Sequence, residues 1–157
     1  LKGFKNSIKE FNENNIKVVF SGRKEPLSDK VYKSMKSLEK ETLNNTGGVL
    51  NICLNYGGQT EIVDTTKKLI NDVLNGKLKT EDITPEIFMK NLYNDLPPMD
   101  FLIRTSGEIR VSNFMLFSLA YAEMYFPHTY FPDFKESEFD KALEEYTKRD
   151  RRFGKNK

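Results

Sequence analysis

Short apolar runs alternate with amphipathic stretches of helical period along this chain. That alternation restricts its fold more than any other feature. "IKVVFSG" at 16–22 reads as a buried strand ending on Gly22, and "VLNICLNYGG" at 49–58 as a second strand ending on a glycine pair. Between them, "PLSDKVYKSMKSLEKETL" has Ser28 placed to cap a helix whose Val31, Met35, Leu38 and Thr42 recur at helical spacing, and "NNTGG" (44–48) stops it. "EIVDTTKKLINDVLNG" repeats the pattern through Ile62, Thr66, Leu69, Ile70 and Val73, with Gly76 as its stop. "TPEIFMKNLY" (84–93) opens on a Thr84 cap with Pro85 at the first helical position. A third strand follows the Pro-Pro break of "LPPMDFLIRTSG". "SNFMLFSLAYAEMYF" (112–126) reads as a buried helix running toward a short last strand. The closing helix places Phe139, Ala142, Leu143 and Tyr146 on one face. Leu1, Phe4, Ile8 and Phe11 give the opening residues the look of the later part of an amphipathic helix, so the chain is expected to continue a longer protein. Strands that alternate with helices pair in parallel, and the expected class is α/β: a layered parallel sheet flanked by helices.

With 157 residues the chain is long enough to bury a real core in one domain. Its 25 basic and 23 acidic residues leave a net charge of +2, which gives no broad attraction to nucleic acid, so any anion site must be local. The single cysteine, Cys53, lies inside an apolar strand, reads as buried filler and fits a reducing, cytosolic setting. The longest apolar run, 114–126, is too short to span a bilayer and contains Glu123.

In parallel α/β sheets ligands bind beyond the carboxyl ends of the strands. All three strand ends are marked: "SGR" at 21–23, "NYGG" at 55–58 and, richest, "RTSGEIRVS" at 104–112. Arg104 and Arg110 can each give a diphosphate paired hydrogen bonds from a guanidinium that keeps its charge. Gly107 allows a sharp turn and close approach. If Ser112 caps the next helix, the amides around Val111 and Ser112 face an anion. The bland alternative pairs Arg104 with Glu108 and leaves Arg110 on a surface loop. Other devices are missing from the sequence: it has no GxxxxGK[ST] or GxGxxG loop, no Cys/His cluster for zinc and no adjacent aspartates. The only histidine, His128, sits in the proline-punctuated "FPHTYFPDF" and has no partner for a nucleophilic triad.

"NYGGQTEI", "DFLIRTSGEIRVSNFMLF", "AYAEMYF", "FPDF" and "RDRRFG" together resemble the cis-prenyltransferases, above all the bacterial undecaprenyl diphosphate synthases, in order and spacing from about residue 16 to residue 154. The resemblance implies an enzyme that adds isopentenyl diphosphate repeatedly to an allylic diphosphate, usually farnesyl diphosphate. The product is a long polyprenyl diphosphate, precursor of the lipid carrier of cell-wall sugars. It also implies a magnesium cofactor, a homodimer, no nucleic-acid partner, and a cytoplasmic protein with peripheral membrane contact for its lipid product.

Carried over by residue, Arg104, Arg110, Val111 and Ser112 match the isopentenyl diphosphate site, and Arg152 and Gly154 the C-terminal element that reaches a partner's diphosphate. Glu123 matches an acidic residue assigned to magnesium, with a structural salt bridge as the alternative. The basic end could equally be a solvated helix terminus. Val49, Ile52 and Leu54 could line a lipid tunnel or simply fill the core.

Ile109 stands where relatives often have His, and Phe131 where they have Trp. The family's allylic-diphosphate loop, a "MDGNGRWA"-type motif carrying the catalytic Asp and a phosphate-binding Arg, does not occur in the sequence, and neither does the downstream "SxENW" segment. The expectation is therefore that residues 1–157 are the C-terminal part of a single cis-prenyltransferase domain. On that expectation the chain is inactive alone and holds two pieces of sheet without the family's central strands. A non-catalytic accessory subunit and a generic phosphate-binding module are the rival readings.

Overall fold

The structure, a computed structural model, describes residues 2–150, and side chains from Ser7 onward. The chain divides into two compact units, Leu1–Asp95 and Leu96–Lys157. The first contains α1 (Lys2–Glu13), β1 (Ile16–Ser21), α2 (Asp29–Glu41), β2 (Gly48–Cys53), α3 (Gly58–Leu74) and α4 (Pro85–Lys90). The second contains β3 (Phe101–Ile103), β4 (Glu123–Tyr125) and α5 (Glu136–Thr147). Single 3-10 turns lie at Thr80–Asp82 and Phe131–Asp133. The α/β class holds, and both strand pairs, β1 with β2 and β3 with β4, are parallel. They form two separate two-stranded sheets, which matches the expectation of two pieces.

In the first unit, β1 and β2 pair in register from Ile16 opposite Gly48 to Ser21 opposite Cys53. The core is Val18, Phe20, Met35 and Leu38, with Ile8, Phe11, Leu27, Val31, Ile52 and Leu54 packed against it. Helix α2 turns Met35 and Leu38 inward and starts where the sequence indicates, with the Val31 amide donating to the Ser28 hydroxyl. At its far end the fully buried Thr42 hydroxyl donates to the Leu38 carbonyl and accepts from the Val18 amide at 3.0 Å. The outer edge of β1 continues in this way. The Phe20 amide donates to Glu39, while the Asn45 and Asn94 side chains donate to the carbonyls of Ile16 and Phe20. An edge strand's loose backbone groups are thus closed by side chains instead of a neighbouring strand. Val49 and Leu50, on β2, stay exposed.

Two helices in this unit qualify the reading from sequence. Helix α4 has the expected Thr84 cap and Pro85 start. Helix α3 begins earlier than its apolar pattern suggests, and the face it buries is Gly58, Glu61, Thr65 and Leu69. Ile70, assigned to the inner face by periodicity, is 52% exposed. The helix is turned by polar contacts of its first half: Glu61 accepts from the Tyr93 amide, and Thr65 donates to the Asn91 carbonyl.

The second unit departs further. Residues 112–122 are a chain of turns, so the helix expected there is absent. Ser112, Asn113 and Met115 all have positive φ (46°, 61° and 40°), a conformation that cannot propagate a right-handed helix. Turn bonds such as Phe114 N–H to Val111 C=O take the place of a helical ladder, and the Ser118 carbonyl accepts from Met99, outside the segment. Leu102, Leu119 and Ala142, with Pro127, are buried apolar residues among those described in this unit, and the Phe101 ring packs on Tyr146 of α5 with ring centroids 4.9 Å apart. Phe139 and Leu143, expected on the inner face of α5, remain largely exposed.

Candidate functional site

Strand β3 delivers Arg104 directly after its last residue, where the Arg104 amide still donates to Tyr125 and so extends the ladder with β4. The chain then turns through Ser106 and Gly107, both at positive φ, and returns through Arg110, Val111 and Ser112. Arg104 closes the loop: its Nη1 donates to the Arg110 carbonyl at 2.6 Å and to the Ser112 hydroxyl at 2.7 Å. Among the described residues its Nε and Nη2 have no hydrogen-bond partner, which leaves them for a ligand. Arg110 forms an ion pair with Glu108, and both side chains are about half exposed. The pairing expected of the bland alternative, Arg104 with Glu108, does not occur.

Leu102, Ile103, Arg104, Arg110, Val111, Ser112 and Phe114 line one open pocket of about 240 Å³. All four residues assigned to isopentenyl diphosphate within the described part of the chain therefore come together. The lining is mixed: two arginines and a serine together with Leu, Ile, Val and Phe. Such a pocket suits a ligand with an anionic head and a short hydrocarbon body. Ser112 does not cap a helix, because none follows, so the anion-facing amides expected from a helix dipole are absent. Its role is instead to accept from Arg104. Arg152 and Gly154 lie outside the described residues.

Glu123 opens β4 opposite Phe101, at the end of the strand pair away from Arg104, and is not part of the pocket lining. It is not inside a helix, as the apolar run suggested. Its carboxylate accepts from Arg149 Nη1 at 2.8 Å, the salt-bridge alternative. Among the described residues no three His, Cys, Asp or Glu side chains gather as a metal site. Magnesium commonly takes only one or two protein carboxylates, with water and substrate phosphate completing its shell. Glu123 fits one such position provided Arg149 moves away.

The first unit's strand ends carry a second polar cluster that sequence reading marked only as "SGR" and "NYGG". Gly22, at φ 137°, passes so close to β2 that a Cβ would stand 2.0 Å from the Leu54 carbonyl oxygen. That approach sets Arg23, whose Nε and Nη2 donate to both oxygens of Asp64 at 2.8 and 2.6 Å. Tyr93 donates to the same carboxylate at 2.6 Å, and Tyr56 donates to the buried Glu61. The Arg23 hydrogen bonds, aided by Tyr93, hold the Asp64 carboxyl down at about 2. Burial, then the Asp64 partner, pushes the Tyr93 hydroxyl up to about 12. Partial burial and nearby Glu61 likewise push the Cys53 thiol up to about 11, which makes it a poor nucleophile, although the side chain is only partly buried and not the buried filler expected. Arg23 and Asp64 are 41 residues apart, and no local pattern announces the pair.

Residues 1–154 match the family model described as putative undecaprenyl diphosphate synthase. An isoprenyl transferase of Fusobacterium nucleatum is 49% identical over 154 residues, covering 98% of this chain and 64% of the relative. A farnesyl-diphosphate-specific ditrans,polycis-undecaprenyl-diphosphate synthase of Legionella pneumophila is 44% identical, with 98% and 65% covered. The chain thus spans just under two thirds of the length of these curated relatives. Among solved structures, lavandulyl diphosphate synthase from Lavandula x intermedia, in complex with dimethylallyl diphosphate, superposes with a TM-score of 0.89 at 31% identity, covering 97% of this chain and 66% of that one. A probable undecaprenyl diphosphate synthase from Campylobacter jejuni gives 0.84 at 30% identity. Sequence and backbone agree, and the chain belongs to the undecaprenyl diphosphate synthase family of prenyltransferases.

Proposed function

We propose that this chain supplies the isopentenyl diphosphate side of a cis-prenyltransferase that elongates an allylic diphosphate such as farnesyl diphosphate into a long polyprenyl diphosphate. The observation that carries this reading is the mixed lining of one pocket, which brings Arg104, Arg110 and Ser112 together with Leu102, Ile103, Val111 and Phe114. The guanidinium groups hold the diphosphate of the incoming unit, and the apolar side chains of the lining orient its five-carbon body. In the reaction the allylic C–O bond breaks and diphosphate leaves with the electron pair. A C–C bond forms to the isopentenyl unit, which gives up a proton. The chain's contribution is positioning and charge stabilisation, with no covalent intermediate on the protein. On binding, diphosphate displaces Glu108 from Arg110 and takes up the free donors of Arg104.

Magnesium, when bound, would neutralise charge on the departing diphosphate, and Glu123 is the residue of this chain proposed to hold it. Arg152 and Gly154 are proposed to complete the diphosphate site of a second copy in a homodimer. The loop assigned by resemblance to the allylic diphosphate, with its catalytic Asp and phosphate-binding Arg, has no counterpart in the 157 residues, so they are proposed to form the later part of one domain and to turn over only together with such a loop. The test is the complete protein with farnesyl and labelled isopentenyl diphosphates. Polyprenyl product is expected, and its formation at limiting isopentenyl diphosphate should fall sharply with Arg104→Ala or Arg110→Ala. No product from the wild type, or equal binding of unrelated nucleotides, would overturn the reading.

A further inference from the structure

We infer that His128 is a positioning residue for the arginine loop and acts through Gly107. The inference rests on the reading of that loop as the isopentenyl diphosphate site.

Gly107 lies midway between Arg104 and Arg110. At φ 68° it is the loop residue with the widest backbone freedom. Rotation there would shift the Arg110 carbonyl away from Arg104 Nη1 and separate the two arginines that line one pocket. The segment 127–129 removes that freedom. The Gly107 amide donates to the Pro127 carbonyl at 2.8 Å, and the Ser106 amide donates to the Thr129 carbonyl at 2.9 Å. These bonds flank His128 in sequence and seat its ring on Gly107. A Cβ on Gly107 would stand 2.7 Å from His128 Nδ1 and 3.3 Å from Cε1. The segment is itself anchored, because Thr129 Oγ1 donates to Glu138 of α5, which also accepts from Lys141.

His128 is not part of the pocket lining, so its influence on a ligand must pass through the loop. It is also exposed, so trimming it opens no cavity in the core and should leave the fold intact. The sequence alone assigned this histidine no task. In the fold it is the wall against which the loop's one glycine is held.

The test uses the complete protein. His128→Ala is expected to raise KM for isopentenyl diphosphate about tenfold, with KM for the allylic diphosphate and Tm unchanged. His128→Phe, which restores a flat ring over Gly107, should bring KM back. Gly107→Ala should be more harmful, and adding His128→Ala to it should recover part of the loss by removing the clash. Hydrogen exchange at the Ser106 and Gly107 amides gives a readout that needs no catalysis: His128→Ala should speed it at least tenfold. Unchanged exchange and unchanged KM overturn the inference, as does an equal rise in both KM values with a fall in Tm. If exchange speeds up but the wild type does not bind isopentenyl diphosphate, the positioning contact stands and the proposed function fails.

Discussion

The two units, Leu1–Asp95 and Leu96–Lys157, are built by different means. The first has six-residue strands in full register and a contiguous apolar core. The second has three-residue strands, and much of its order comes from turns and backbone bonds around the arginine loop. Their strain differs as well. In the first unit the non-glycine residues at positive φ are Asn15 and Asn55, a residue type that tolerates the left-handed region. In the second they are Ser106, Ser112, Asn113 and Met115, all within the pocket loop and the turns after it. A left-handed non-glycine residue costs about 1 kcal/mol. The first unit spends its sequence on burial, and the second accepts unfavourable backbone geometry to bring two arginines and a serine to one pocket.

The largest effect that would sharpen this contrast is expected from Leu38→Ala. Deleting a fully buried side chain should lower stability by about 3 kcal/mol, read by denaturant unfolding, with isopentenyl diphosphate affinity per folded molecule unchanged. Arg110→Ala should do the opposite. Affinity falls roughly 30-fold, about 2 kcal/mol, in calorimetry, while the midpoint of unfolding stays put because the ion pair with Glu108 is exposed. A fall in both quantities for either variant would break the comparison. Thr42→Val keeps the shape but leaves the Val18 amide without its acceptor, and should cost about 1–2 kcal/mol of stability. Ser106→Gly should raise the stability of the second unit by up to about 1 kcal/mol, since glycine accepts φ 72° freely.

The smallest effect concerns acid. Asp64 titrates lower in the folded protein than in the unfolded chain, so its contribution is complete above pH about 4 and fades as pH falls toward about 2. Asp64→Asn should flatten the acid limb of the stability profile in that window only. An unchanged limb would mean that Arg23 and Tyr93 do not hold the carboxylate in solution.

Local signals were legible where the physics is local. Ser28, Thr84 and Pro85 start their helices where the sequence places them, and the strands at 16–21 and 48–53 stand where the apolar runs are. Arg104, Arg110, Val111 and Ser112 could be named because one short loop carries them all. The segment 112–122 was not legible, since an apolar run of helical composition hides left-handed residues imposed by its surroundings. Nor was the buried face of α3, which is set by Tyr93 and Asn91, many residues away. Glu123 was recognisable as a residue that needs a partner, but Arg149 as that partner depends on the pairing of β4 and the course of α5.

The sealed flank of β1 has a directional consequence. With Thr42, Glu39, Asn45 and Asn94 occupying its outward groups, that side offers no template for another chain to pair against. Across the sheet, the outward amides and carbonyls of Val49, Asn51 and Cys53 have no partners among the described residues. Any strand that widens this sheet therefore joins beside β2, and misassembly through the opposite margin is blocked by four side chains.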